Sequence, residues 1–262
     1  MVTSLLKIIK LLSIRKRTHP LIPSQEGKLN ICIPIFIYIF IFSGLLIFSA
    51  CECVPGIDTP KIIEPVDFSN VLFINAMPDV DMVDVWSTDH LVLGNLSYDN
   101  NQNIYKKIGA GSSNIKFILQ KDSTIIFNSS TELIKNGNYT FIGFGRKTRI
   151  KGMLMSDSID SYTPNNAYVR FAHVSDDAPA VKFVINSYPI NPSLSYNSYT
   201  SIYPIPTGIY SLSVNDTLTN STLTTKDSIE IKAGSLYNLI LRGHYTGSQT
   251  RKLECIVVEI KK

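Results

Sequence analysis

The chain has little cysteine, little histidine and a single tryptophan, and the first two scarcities each exclude a class of protein. Its four cysteines stand at 32, 51, 53 and 255, the first inside an apolar leader. Those that remain are too few for a disulfide framework, and Cys255, just before Ile256-Val257-Val258, reads as a small buried hydrophobe. Of four histidines, only His90, His173 and His244 follow the leader. There is no Gly-x-Ser-x-Gly elbow and no His-Glu-x-x-His pair, so the usual serine-hydrolase and zinc-protease patterns are absent. After residue 50 no apolar i, i+3, i+4, i+7 stripe runs beyond two turns, which leaves helix incidental at most.

An excess of basic charge is also missing from the body of the chain. The formal net charge is +4, but residues 1–50 hold six of the 25 Lys+Arg and one of the 21 Asp+Glu. The remainder therefore carries 19 basic and 20 acidic side chains. Nucleic-acid affinity rests on many Lys/Arg–phosphate contacts, so no nucleic-acid partner is expected.

What the chain does have is one long apolar run, Ile31 to Ala50, with basic residues only on its N-terminal side. About 20 such residues can cross a bilayer core of ~30 Å, and the flanking charge keeps the start cytoplasmic and exports the rest. The run ends in Ser49-Ala50-Cys51, small residues before a cysteine. This resembles a bacterial lipoprotein signal, which implies lipidation at Cys51 and anchoring at the bacterial outer membrane, facing the periplasm or the cell surface. An uncleaved signal anchor is the alternative. Residues 51–68 carry Pro55, Gly56, Pro60 and Pro65, so they read as an extended tether.

Beyond the tether the sequence repeats itself. Val71-Leu-Phe-Ile-Asn-Ala-Met-Pro-Asp79 returns as Val169-Arg-Phe-Ala-His-Val-Ser-Asp-Asp177, a shift of 98 residues that also brings Val83 to Val181, Ile104-Tyr105 to Ile202-Tyr203 and Tyr139 to Tyr237. A unit that long is a domain rather than a solenoid turn. Each copy alternates β-branched and aromatic segments with Asn/Gly/Asp/Ser clusters, the pattern of strands and turns. Ala110-Gly111 matches Thr207-Gly208, and Lys135-Asn-Gly137 matches Lys232-Ala-Gly234. Size and strand number predict an all-β chain of two tandem immunoglobulin-like β-sandwich domains, 69–165 and 166–262, behind an N-terminal hydrophobic signal helix.

The repeated frame is similar to the bacterial domain-of-unknown-function family 4397. It rests on Phe-x-Asn/His-x-x-x-Asp at the start of each copy, the later Ile-Tyr, the (Ala/Thr)-Gly turn and the closing glycine–tyrosine strand. His173-Val-Ser-Asp-Asp-Ala-Pro-Ala-Val181 matches the family's opening motif, and the first copy puts Asn75 in place of that histidine. The resemblance implies tandem β-sandwich modules on secreted or lipid-anchored proteins; it carries no catalytic residue and no cofactor.

Candidate chemistry is sparse. Asp79, Asp81 and Asp84 crowd one loop and Asp176-Asp177 the matching one, as a calcium loop would require. No Asp-x-Asp-x-Asp-Gly follows, however, so turn bonding without a metal is the expected role. His173 beside Asp176 and Asp177 is the one place a hydrolase would start, yet Asn75 at the matching position argues for a structural hydrogen bond. Trp86, Tyr188, Tyr196 and Tyr199 are the candidate partner-binding aromatics, suited to stacking on sugar rings or packing on a protein. Asp-Ser or Asp-Thr precedes an apolar residue or threonine at Ser123, Ser158, Thr217 and Ser228, which resembles a bacterial O-glycosylation acceptor and also reads as a turn start. The expected function is a non-catalytic envelope lipoprotein that binds a protein or glycan partner. An exported hydrolase centred near His173, or a purely structural spacer, is the alternative.

Overall fold

A computed structural model of the chain describes residues 67–261, apart from 101–102, 147, 192 and 247–249. The leader, Cys51 and the expected tether up to residue 66 lie outside the described residues. Every element among the described residues is a strand, and no described helix is long and apolar enough to cross a membrane. The first copy forms β1 (Phe68–Ala76), β2 (Met82–Ser87), β3 (His90–Ser97), β4 (Lys106–Gly109), β5 (Gly111–Leu119), β6 (Ile125–Leu133), β7 (Asn138–Phe144) and β8 (Lys151–Ser156). The second forms β9 (Ala167–His173), β10 (Val181–Ile185), β11 (Tyr188–Pro189), β12 (Ser198–Tyr199), β13 (Tyr203–Ile205), β14 (Gly208–Asp216), β15 (Thr222–Ile231), β16 (Ser235–Arg242) and β17 (Glu254–Lys261).

Each copy folds into two layers with the same strand order, four-stranded except for the inner sheet of the second copy, which has five strands. The first has β4-β1-β7-β8 facing β3-β2-β5-β6; the second has β12-β9-β16-β17, with β13 also on β9, facing β11-β10-β14-β15. The central pairs β1–β7 and β9–β16 run parallel in the same register, Asn70 opposite Asn138 and, 98 residues on, Tyr168 opposite Leu236. An immunoglobulin constant arrangement keeps its first two strands in one sheet. Here β1 and β2 belong to different sheets.

Burial separates outer sheets from inner ones. In β5 burial alternates along Ser113–Leu119, and β2 and β10 alternate likewise, so these strands bury one face and leave the other to solvent. In β1 the run from Val71 to Ala76 is buried throughout, and β9 and β16 are buried at every residue. Such continuous runs belong to sheets covered on both sides. Val71 and Phe73 of β1 point into their own module with Val83, Val85, Ile115 and Phe117. Leu72, Ile74 and Ala76 point the other way and form a third core with Tyr168, Ala172, Leu236 and Ile240 of the second module. Burying a side chain of this size stabilises by ~1.5–3 kcal/mol, so the seam is a true core.

The seam has near two-fold symmetry. Asn238 donates to Thr140 at 3.1 Å across it, and these residues stand 98 apart, at equivalent places in the two copies. Phe144 meets Tyr196 edge to face, while their equivalents, Arg242 and Tyr98, stack at 3.8 Å. When residue i meets j and the counterpart of j meets the counterpart of i, the contact is isologous, as in a homodimer. The duplication has built a dimer within one chain.

Candidate functional site

The acidic loops after β1 and β9 both reach across the seam. Asp79 meets His244 Nε2 at 3.2 Å, and Asp81 pairs with Arg251 at 2.6 Å. Arg251 also donates to the Pro78 carbonyl at 2.9 Å and lies 3.5 Å from Asp99. On the symmetric side Asp176 and Asp177 hold Arg146 at 2.9 and 3.2 Å. Arg146 and His244 are 98 apart, so one duplicated position supplies a nitrogen-bearing side chain to each loop. Asp177 also accepts the N–H groups of Tyr245 and Thr246 at 2.9 and 3.1 Å. Burial works against its ionisation, but these donors and Arg146 outweigh burial and hold the carboxyl below its usual range. Asp84 lies apart on the outer face of β2, where its Oδ1 accepts Asn95 N–H and Gln120 Nε2–H, each at 2.9 Å. Among the described residues no group of three or more His, Cys, Asp or Glu is placed to hold a metal ion.

His173 is fully buried at the end of β9, with Nε2 2.9 Å from the Pro179 carbonyl. Its Nδ1 is buried and has no hydrogen-bond partner. Burial lowers its pKa, against the raising effect of the Pro179 bond, so the ring is a neutral strut between strand and loop. Asn75 does the same work in the first module. It donates to the Val80 carbonyl at 3.2 Å and accepts Met77 N–H at 3.0 Å. A polar hollow at the seam, about 530 Å³, lies instead beside His244, lined also by Asp79, Asp81, Asp99, Thr250 and Arg251.

A family model described as Domain of unknown function (DUF4397) matches residues 69–184 and again 167–259. The chain belongs to this family. Its two DUF4397 modules are the two halves of the pseudo-dimer. No curated protein matches. Solved structures that resemble it include CBMbc, a family CBM26 module of Amy13K from Eubacterium rectale in complex with maltoheptaose, at TM-score 0.25 and 6% identity over 74% of this chain and 98% of that one. A candidate adhesin from Bacteroides ovatus is similar at TM-score 0.19 and 9% identity, over 74% and 95% of the two chains. Likeness this remote bears on neither ligand nor partner.

The aromatic candidates of the DUF4397 pair are scattered. Tyr188 is 76% exposed on β11, at the edge of an outer sheet, whereas Tyr199 sits on β12, in the inner sheet, over Arg170 at 5.9 Å. Tyr196 is at the seam, against Phe144 and under Lys151 Nζ at 4.9 Å. Trp86 stands half-buried on the outer face of β2, between Lys116 of β5 and Leu91 of β3. Ser123, Ser158 and Ser228 are exposed and Thr217 is half-buried. Asp122 and Asp216 accept backbone N–H groups two residues on, as turn-starting aspartates do.

Sequence reasoning missed the groups that bind the modules together. Arg170 (2% exposed) pairs with Asp157 (0%) at 2.5 Å and donates to Asn238 Oδ1 at 3.0 Å. Thr140 and Tyr105 also donate to Asp157, at 2.9 and 2.8 Å. Burial, then the Asp157 charge, pushes the Tyr105 phenol far above its usual range. Arg242 bonds Glu254 at 2.8 Å and donates to the Asn75 and Tyr98 carbonyls at 3.0 and 2.7 Å. Tyr98 lies between Arg242 and Arg251, 3.8 and 4.3 Å from its ring, and burial pushes its pKa up to about 12 against the lowering effect of both arginines. The available signal was the 98-residue shift itself, which also aligns Tyr98 with Tyr196 and Gly145 with Gly243.

Proposed function

We propose that the chain is a non-catalytic, lipid-anchored envelope protein whose two β-sandwich modules, 69–165 and 166–262, present their outer sheets to a protein or glycan partner. The modules are of immunoglobulin size and layering with their own strand order; β-sandwiches share that architecture across different topologies. One observation carries the reading: the groups that could do acid–base chemistry are spent on assembly. His173 braces a loop, and His244, Asp79, Asp176 and Asp177 are bonded across the seam. The outer face of the first module, by contrast, leaves an aromatic ring and several polar groups turned to solvent. Cys51 would carry the lipid and residues 51–68 the spacing from the outer membrane.

Full-length chain used as bait on envelope extract and on glycan arrays should retain a partner; recovery of nothing favours a structural spacer. Cys51→Ala should release the protein from the membrane fraction, and unchanged anchoring and size would instead support an uncleaved anchor. The hollow beside His244 favours one second reading, a hydrolase at the seam. It requires turnover on ester, peptide or glycoside substrates that His244→Ala abolishes.

A further inference from the structure

Accepting that reading, we infer that the outer face of β2 is a binding strip for a neutral oligosaccharide, with Trp86 as its stacking platform. The strip follows from the alternation of β2. Val83, Val85 and Ser87 are buried, which turns Met82, Asp84 and Trp86 outward along roughly 13 Å of strand. At one end Trp86 lies between Leu91, 54% exposed, and Lys116. At the other, Met82, Gln120 and Lys121 help to line a depression of about 460 Å³. Between them the polar groups are held in place. Gln120 Nε2 donates to Asp84 Oδ1 at 2.9 Å and to Asn95 Oδ1 at 2.6 Å, while Asn95 N–H donates to Asp84.

Asn95 reaches this face because β3 is irregular. Its pairing with β2 shifts register between Val83 and Val85 and again between Val85 and Trp86, and Asn95 adopts a φ of 59°. Bulges of this kind re-aim side chains beside functional surfaces. The duplicated module supplies a contrast. There Val184 stands where Trp86 does and Ser213 where Lys116 does, and the β10–β11 pairing is regular. Two modules that share a scaffold thus differ at this strip, and only the first has both a ring and a bulge.

The chemistry selects the occupant. An aromatic face flanked by oriented carboxylate and amide groups suits a molecule with apolar ring faces and equatorial hydroxyls. Charge on the strip is balanced, with Lys116 Nζ 3.1 Å from Asp89, so the strip favours a neutral sugar over an acidic one. The exposed large hydrophobics of this face are dispersed, Met82 and Leu91 at opposite ends of the strip and Ile125 two strands away from Asp84, unlike the central apolar cluster a protein partner would seek.

Trp86 is the only tryptophan, so its emission reports the strip directly. Full-length chain in detergent, titrated with cellohexaose, maltohexaose and a mannan hexasaccharide, should show saturable quenching or a blue shift with at least one of them. A glycan array read with wild type, Trp86→Ala, Gln120→Ala and Tyr162→Ala, an exposed ring outside both outer sheets, should show neutral-glycan binding weakened about tenfold or more by either of the first two and unaltered by the last. Gln120→Ala preserves the test if Trp86→Ala fails to fold. No response to any neutral glycan, or binding that survives both strip variants, overturns the proposal. A protein partner captured through Trp86 without sugar binding would overturn it too, while leaving the broader binding reading in place.

Discussion

A charge pair as deeply buried as Arg170–Asp157 is a weak source of stability but a strong constraint, because desolvating two ions costs about what their attraction returns. Leaving one of them unpaired is the expensive outcome. Arg170→Leu and Asp157→Ile, which install the residues found at the equivalent places, Leu72 and Ile260, should each destabilise by about 3–5 kcal/mol. The double variant should recover most of that loss in urea unfolding; additive losses would mean that the two side chains act independently. His173 makes a subtler contribution. Its folded pKa lies below the ~6.5 of an unfolded histidine, so the unfolded chain takes the proton more readily. The stabilisation from the neutral ring is complete above about pH 6.5 and is lost as pH falls toward the folded value. His173→Asn, the choice made at Asn75, should flatten the fall in thermal midpoint between pH 7.5 and 5.5. Equal slopes for both proteins would show that the ring titrates no differently on folding.

Among the elements, the outer strands were legible and the inner ones only half so. Alternation marks β2, β5 and β10 directly. An apolar run such as Val71–Ala76 also announces a strand, but nothing local says that both its faces are covered. That depends on a second module 98 residues away. β3 escaped because Gly94 and Asn95 break its period at the bulge, and β4 because it is four residues long. The proline- and asparagine-rich stretch 186–197 reads as a loop, yet Tyr188 and Pro189 within it form an edge strand of an outer sheet. Of the candidate strip, Trp86 and Asp84 stand out in the sequence, Asp84 as a loop carboxylate rather than a strand residue, while Asn95 and Gln120 join them through a bulge and a turn. A second pair of elements, the β7–β8 and β16–β17 connections, delivers Arg146 and His244 to the seam. Gly145 and Gly243 begin them at φ near 93° and 92°, and a Cβ would lie 2.5 and 2.3 Å from the Arg149 and Lys252 carbonyl oxygens. Gly243→Ala should therefore cost about 1–3 kcal/mol from backbone strain and more from the clash. Exchange of the His244 and Leu253 amides, which close that turn, should rise well before global unfolding; unaltered protection would contradict the assignment.

At the scale of the whole molecule the shared core decides how the two modules behave. Modules joined by a polar linker unfold separately, whereas these share a hydrophobic layer with Ile142 and Ile240, an equivalent pair, fully buried in it. The chain carries its own probes for the difference. Trp86 reports the first module alone, while far-ultraviolet circular dichroism reports the strands of both. In a single cooperative transition the two signals coincide, and that is the expected result for the wild type in urea. Ile240→Glu places a carboxylate in the layer, a cost of several kcal/mol unless the seam opens. Opening is the easier response, because each module keeps its own core. The variant should then give two transitions, with the Trp86 signal following only one. Separate transitions in the wild type would mean that the layer does not couple the modules, and the pseudo-dimer would be two tethered domains in mere contact.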